Sequence, residues 1–394
     1  MFDRLNGQFA RAMVWRGREE QDLWFAFGEA QTFPTLQAAR DLLSRLPLTG
    51  DESGIRPRCF ATIAFDPDGA DDQSIWTGFP ARSCWLPAIQ LCLRGNSAQV
   101  FRCGDGLGIP LDEPESADTG SAATACIASR RAHTSPAEWE DQIYAIQRRI
   151  QAGDIEKAVL ARVDSLSGTT PWPVPAILQR LTAPASAEFA FAVRYGHSIF
   201  LGKSPERLFR VDGMRVETES LAGTASVENP PPRTLLHSDK DALEQSVVTR
   251  FIRRELQPLC EDGLRQEPVA VKDLSYARHL HTRIHGTLRS AVSLDNLLSA
   301  LHPTPAVCGE PRDAARRLIQ SLEPLPRGLY SGALGWVDGQ SADFAVGIRS
   351  ALLRERDAWL FSGAGIVAGS DPVNEWEETA LKMRPMLSAL GCER

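Results

Sequence analysis

The sequence predicts an α+β fold built on large antiparallel sheets. Strand-like runs come in groups joined by tight turns, and single helical stretches interrupt the groups without regular strand–helix–strand alternation. "FAFAVRYGHSIFLG" reads as two strands around Tyr195–Gly196, and "RLFRVDGMRVETES" as two more around Asp212–Gly213. "GALGWVDGQSADFAVGIRSALLRERDAWLFSGAGIV" reads as three antiparallel strands.

In chain order, "RCFATIAFDPDG" and "SAQVFRCGDG" look like strands ending in turns, with short helices around 35–46 and 86–93. Residues 104–134 are rich in Gly, Pro, Ser, Asp and Ala and have little to bury. They read as a linker or long loop between an N-terminal part, 1–103, and a larger part, 135–394. A well-signposted helix follows: Ser135 can cap it, Pro136 suits the first turn, and Glu138 completes a capping box. Its stripe is Trp139, Ile143, Ile146 and Ile150, and Gly153 ends it. The next run, "GDIEKAVLARV", is a buried strand with a cation at each end. Further helices are predicted from Asp239 to Leu256, with Leu243, Val247, Phe251 and Leu256 buried, and from about Asp371–Pro372 to Leu390.

Composition excludes several classes. The 394 residues carry a net charge of −7 and no basic stripe, so nucleic acid is not an expected partner. The eight cysteines form no C-x-x-C pair and no zinc-finger spacing, which suits reduced thiols. No apolar stretch approaches the roughly 20 residues of a membrane span, and the N-terminus lacks the apolar region of a secretion signal. A cytoplasmic protein with no membrane partner is expected.

Candidate chemistry concentrates in five places. On the last helix Glu375, Glu378 and Lys382 share a face, opposite Trp376, Ala380, Met383 and Leu387. The small residues of "FSGAGIVAG" just before it would let backbone N–H groups approach a carboxylate. Glu244 borders the apolar stripe of its helix and supplies a third carboxylate, the donor type that Mg²⁺ favours. Glu206 follows Pro205 at the end of an apolar strand, where desolvation should raise its pKa and make it a proton donor near neutrality. Lys157 opens a strand whose interior, or a neighbouring cation, would favour its neutral, basic form. Alternation places Lys157 with Val159 and Ala161, and Arg162 on the other face with Ala158 and Leu160. His279, His281 and His285 cluster but do not fit a helical zinc motif. Taken singly, each feature also suits a solvated helix face, a turn glutamate or a lysine at a sheet rim.

Together the motifs resemble a known family. "GDIEKAVLARV", "GKSPERLFRV", "ESLAGTA", "DKDALEQSVV", "HLHTRIHG", "LHPTPAVCGEPRDAARRLI", "RGLYSGALGWVD", "DFAVGIRSALL" and "FSGAGIVAGSDPVNEWEETALKM" occur in that order. They resemble the chorismate-utilising enzymes and, within them, the isochorismate synthases, over essentially all of 135–390 and more weakly upstream. The resemblance implies a single large α+β unit of two antiparallel sheets packed face to face, with helices outside. It implies chorismate as substrate, Mg²⁺ as the cofactor and no organic cofactor, in a monomer. Lys157 matches the lysine that activates water for attack at C2 of chorismate, and Glu206 the acid that protonates the departing C4 hydroxyl. Glu244 and Glu375 match Mg²⁺ ligands, with Glu378 in support. Tyr330, Arg349, Lys382 and the backbone of Gly363, Ala364 and Gly365 match the groups that hold the substrate carboxylates. His279 matches a residue beside the reacting ring, and Gly223 and Thr224 a loop lining the same pocket. Lys157 with Ala222 matches a water nucleophile, because the ammonia-adding members lack the lysine and aminodeoxychorismate synthases commonly carry a nucleophilic lysine where Ala222 stands. A salicylate synthase, which goes on to eliminate pyruvate, and a non-catalytic chorismate-binding protein are the alternatives. The product could feed siderophore, menaquinone or salicylate synthesis.

Overall fold

A computed structural model describes residues 9–19, 22–46, 54–69, 74–104, 126–183, 188–227, 233–274 and 276–392. Two large sheets form, of eleven and ten strands, and every pairing between neighbours is antiparallel. In the first sheet the Lys157–Gly168 strand pairs with Asp357–Ile366. Beyond that lie Ser350–Arg354, Ser198–Ser204, Phe189–Tyr195, Arg11–Arg16, Leu23–Phe27, Ile89–Arg94 and Ser97–Arg102. The second sheet places Ala277–Thr287 beside Arg215–Ser226, followed by Arg207–Asp212, Ser341–Val346, Ala333–Val337, Cys59–Ile63 and Arg82–Leu86. Strands from before residue 104 and after residue 135 therefore share both sheets.

The sheets pack face to face through one aromatic-rich cluster. Trp15, Phe191 and Phe200 of the first meet Phe60, Trp85 and Leu334 of the second. Helices cover the outer faces. Pro136–Gln151 buries Trp139, Ile143 and Ile146 against Ala158, Leu160, Ala364 and Ile366. Asp239–Leu256 packs Val248, Phe251 and Ile252 over Phe209, Val216 and Ile284. The capping box at Ser135 forms as predicted, with the Glu138 carboxylate accepting from the Ser135 N–H at 2.7 Å. Among the described residues no disulfide joins the cysteines. Among the described residues no helix is long and apolar enough to cross a membrane.

Four expectations need correction. The stretch at 86–93 is the strand Ile89–Arg94, not a helix; Ile89 to Cys92 are buried on both faces, so the alternation that marks a half-exposed strand is missing. Part of the 104–134 stretch, Ile127–Ala132, is an exposed strand on the edge of the Lys157 strand; 105–125 lie outside the described residues. Leu243 points outward, and Glu244 and Gln245 take buried positions on its helix instead. The three strands read over 332–367 are four, two in each sheet.

Candidate active site

The chain crosses between the sheets at two neighbouring points, and both carry a predicted residue. Pro205 and Glu206 link Ser198–Ser204 of the first sheet to Arg207–Asp212 of the second, and proline there ends the ladder. Gly347, Ile348 and Arg349 make the return crossing, with Arg349 held at φ +52. The crossings are tied together: the Val346 N–H donates to the Glu206 carbonyl at 3.1 Å, and the Lys203 N–H to the Arg349 carbonyl at 3.1 Å. A cleft opens beside them. Glu206, Gly223, Thr224, Glu244, His279, Tyr330, Arg349, Gly363, Gly365 and Lys382 line it, together with Ala222.

Glu206 is 3% exposed. Burial, reinforced by the nearby Glu219 charge, pushes its pKa up to about 8, while Lys157, Lys272 and Lys382 restrain the rise. This carboxyl carries a proton at neutral pH, as its corner position predicted.

Lys157 lies one carboxylate behind the cleft wall and is fully buried. Its ammonium pairs with Glu244 at 2.9 Å, and the other oxygen of Glu244 accepts the Gly223 N–H at 3.2 Å. Burial alone would raise the Glu244 pKa, but Lys157 and Lys382 hold it below the usual carboxylate range. Alternation places Arg162 on the outer face, as predicted. It stacks on Trp376 at 3.9 Å and donates to the Thr379 hydroxyl at 2.7 Å, fixing the last helix against the sheet.

The last helix begins with Asp371 capping Val373 and Asn374. Its first turn buries Glu375 to 1% exposure against Lys240 of the Asp239–Leu256 helix. One turn on, Glu378 accepts from Lys382 at 2.6 Å, and Lys382 also donates to the Gly363 carbonyl at 3.0 Å. Each of the three glutamates read as metal ligands is thus paired with a lysine: Lys157, Lys240 or Lys382. Among the described residues no three ligating side chains close on one point that would hold a metal as they stand. Two observations nonetheless suit a hard cation. The second oxygen of Glu375 is buried without a hydrogen-bond partner among the described residues. Burial and the Glu378 charge also push the Glu375 pKa upward, the mark of excess negative charge. Lys240 escaped the sequence reading, although it sits four residues before Glu244 on the same helix face.

His279 is buried and neutral, its pKa driven well below the ordinary value by burial and by Arg349. An arginine only donates, so the 3.0 Å contact from Arg349 to Nε2 leaves the ring proton on Nδ1, which donates to the Gly223 carbonyl at 3.0 Å. His279 therefore aims the Arg349 guanidinium. Gly223, at φ +66, forms a bulge between Ala222 and Thr224 that turns this carbonyl inward. Tyr330 is buried and stacks on Phe361 at 5.2 Å.

The glycine run divides by alternation. Val159 and Ala161 send their N–H groups to Cys308 and Glu323, so Leu160 ladders with Ala364. Ala364 also buries its methyl on the helix side, away from the cleft. Gly363 and Gly365 face the cleft, beyond the last pairing of the neighbouring strand at Phe361. A Cβ at Gly365 would stand 2.1 Å from Glu244 Oε1 and 2.9 Å from Lys157 Cε. Gly365→Ala should therefore force the Lys157–Glu244 pair aside and lower turnover by about 10²-fold, as ångström-scale displacement of reacting groups does. Steady-state kinetics on the folded variant checks this, and unchanged kcat would separate the pair from the chemistry.

A roomier cavity near Phe65, Trp76 and Arg327 contains none of the predicted residues. The cleft between the crossings gathers the acid and the anion-binding groups, with Lys157 behind its wall at Glu244.

This fold and cleft define a chorismate binding enzyme: residues 111–391 match the family of that description, and the chain belongs to it. It is 33% identical to "Isochorismate synthase MenF" of Bacillus subtilis, over 87% of this chain and 76% of that one. It is 35% identical to "Salicylate biosynthesis isochorismate synthase" of Pseudomonas aeruginosa, over 86% and 76%. The solved structure of MenF, the menaquinone-specific isochorismate synthase from Escherichia coli, superposes with a TM-score of 0.79 at 26% identity, covering 98% of this chain and 89% of that one.

Proposed function

We propose that the protein is an isochorismate synthase, an isomerase that converts chorismate to isochorismate. The observation that carries this reading is a buried carboxyl, Glu206, in the wall of a cleft whose Ala222 position lacks a nucleophile, with a buried lysine, Lys157, directly behind the cleft residue Glu244. Two titratable groups held in different environments at one site are the pattern of paired acid and base chemistry.

In its neutral amine form Lys157 takes a proton from a water molecule as that water's oxygen bonds to C2 of the substrate. Both ring double bonds shift, C1=C2 to C1=C6 and C5=C6 to C4=C5, and the C4–oxygen bond breaks as Glu206 gives that oxygen its proton. One water enters and one leaves, and the proton on Lys157 returns to Glu206 before the next turnover. Chorismate is a dianion in a protein of net charge −7, so its carboxylates need local cations. Arg349, aimed by His279, and Lys382 supply them from the cleft wall, with Tyr330 and the Gly363 and Gly365 backbone alongside.

Mg²⁺ would be held by Glu244 and Glu375, with Glu378 in support. When bound, it neutralises the ring carboxylate and draws electron density from the ring. The carboxylate donor set and the unpartnered Glu375 oxygen support this assignment.

The test is incubation of the purified protein with chorismate and Mg²⁺, with products resolved by chromatography. Isochorismate is expected. Fluorescent salicylate would favour pyruvate elimination, and no consumption would favour a binding protein. EDTA is expected to stop consumption and excess Mg²⁺ to restore it. Consumption unaffected by EDTA would remove the metal assignment.

A further inference from the structure

Behind Glu206, away from the cleft, lies a buried ionic cluster that none of the reaction steps uses. At its centre is Glu219 on the Arg215–Ser226 strand, 3% exposed. One of its oxygens accepts the Arg207 N–H at 2.8 Å and Arg18 Nη1 at 2.6 Å. The other accepts the His281 Nε2–H at 2.7 Å, and the Lys272 ammonium stands 3.9 Å from the first. The same cations reach the other side of Glu206: Arg18 donates to the Pro205 carbonyl at 3.2 Å and Lys272 to it at 3.0 Å. The carbonyl before Glu206 and the N–H after it are therefore both held by groups tied to one carboxylate.

We propose that Glu219 is the positioning residue of the acid: it fixes the Pro205–Arg207 backbone that presents Glu206 and supplies the fixed negative charge that keeps Glu206 protonated. The inference deepens the proposed function and rests on Glu206 acting as the acid there. Two buried carboxyls that feel each other's charge cannot both ionise cheaply, and the surroundings decide which one does. Glu219 has the cations. Burial would raise its pKa, but Arg18, the His281 hydrogen bond and Lys272 hold it well below the carboxylate range. Glu206 feels the charges of Glu219, Lys157, Lys272, Lys382 and Arg349, while Glu244 and neutral His279 share its cleft.

The sign follows directly. Replacing Glu219 by glutamine removes a negative charge and leaves Arg18 and Lys272 less compensated. Both changes favour ionised Glu206. In Glu219→Gln the Glu206 midpoint should fall by about one pH unit or more. The alkaline limb of the kcat–pH profile should move down with it, so a one-unit fall from about 8 lowers kcat about five- to sixfold at pH 8 and much less at pH 6. Burial lowers the Lys272 pKa to about 8, so it is a cation through the acid side of this range, and Lys272→Met, which removes that charge, should move the midpoint upward. Loss of packing alone would not produce opposite signs in the two variants.

The experiment follows the Glu206 carboxyl by ¹³C NMR in protein labelled at glutamate, assigned by its disappearance in Glu206→Gln, alongside kcat–pH profiles. A lowered midpoint in Glu219→Gln and a raised one in Lys272→Met support the proposal. An unmoved midpoint in folded Glu219→Gln overturns it. If Glu219→Gln does not fold, Lys272→Met decides alone, and an unmoved or lowered midpoint overturns it. Wild-type turnover in Glu206→Gln would sink the acid assignment separately, because the NMR titration reads the Glu219 effect without any turnover.

Discussion

Replacing Lys157 with methionine, which keeps the length and the apolar stem, is expected to lower chorismate turnover by about 10²–10⁴-fold, the usual contribution of a positioned base. A second effect separates this lysine from one at a sheet rim. Its buried ammonium is the 2.9 Å partner of Glu244, so the variant leaves a buried carboxylate without its cation. Breaking such a pair from one side typically costs about 3–5 kcal/mol. The pH dependence has a definite sign. Glu244 has a depressed pKa in the folded state, so the stabilisation it gains from Lys157 is present above its unfolded pKa and is lost as pH falls through the folded value. The stability gap between wild type and variant should therefore be full near pH 7 and shrink only below about pH 4.5, toward pH 3. Urea unfolding at pH 7 and toward pH 3, without divalent cation, measures it. Turnover within a few-fold of wild type would remove Lys157 as the base, and a gap independent of pH would remove the Glu244 pairing as its cause.

Features that depend on neighbours in the chain were legible before any coordinates. The Ser135 capping box, the glycine hairpin turns, and the opposed faces of Lys157 and Arg162 all follow from local spacing. Glu206 was legible as a buried acid because proline ends the strand just before it. Two strands were hidden for opposite reasons. Ile89–Arg94 is buried on both faces at its start, so its apolar run imitates a helix, whereas Ile127–Ala132 is exposed throughout and shows no pattern. Register was not legible either. Glu219 meets His281 only because Leu221 pairs with His281 on the next strand, and Lys272 joins them because Ala270 pairs with His281 from its other side. Arg18 reaches the cluster from some two hundred residues upstream. Roles assigned through family resemblance covered the cleft wall. The ionic layer behind it, and the Lys157–Glu244 and Lys240–Glu375 pairs, emerged only from packing.

Glu206→Gln is expected to lower turnover by about 10²–10⁴-fold and, at the same time, to make the protein more stable at alkaline pH. The first effect is loss of the proton donor. The second follows from linkage. The Glu206 pKa rises from 4.5 to about 8 on folding, so between those values the unfolded chain has released a proton that the folded protein retains. The unfolded state then binds fewer protons, and wild-type stability falls as pH rises through this window. At about 1.4 kcal/mol per pH unit the cost approaches about 5 kcal/mol above pH 8 and vanishes below about pH 4. Glutamine matches the protonated acid in shape and never ionises, so the variant escapes this cost. Urea unfolding from pH 4 to 8.5 should show the two proteins equal at the acid end and the variant increasingly more stable toward the alkaline end. Parallel curves would mean that Glu206 titrates as an ordinary surface carboxyl and has no proton to give at neutral pH. A divergence matched by lost turnover would tie both effects to one proton on one buried side chain.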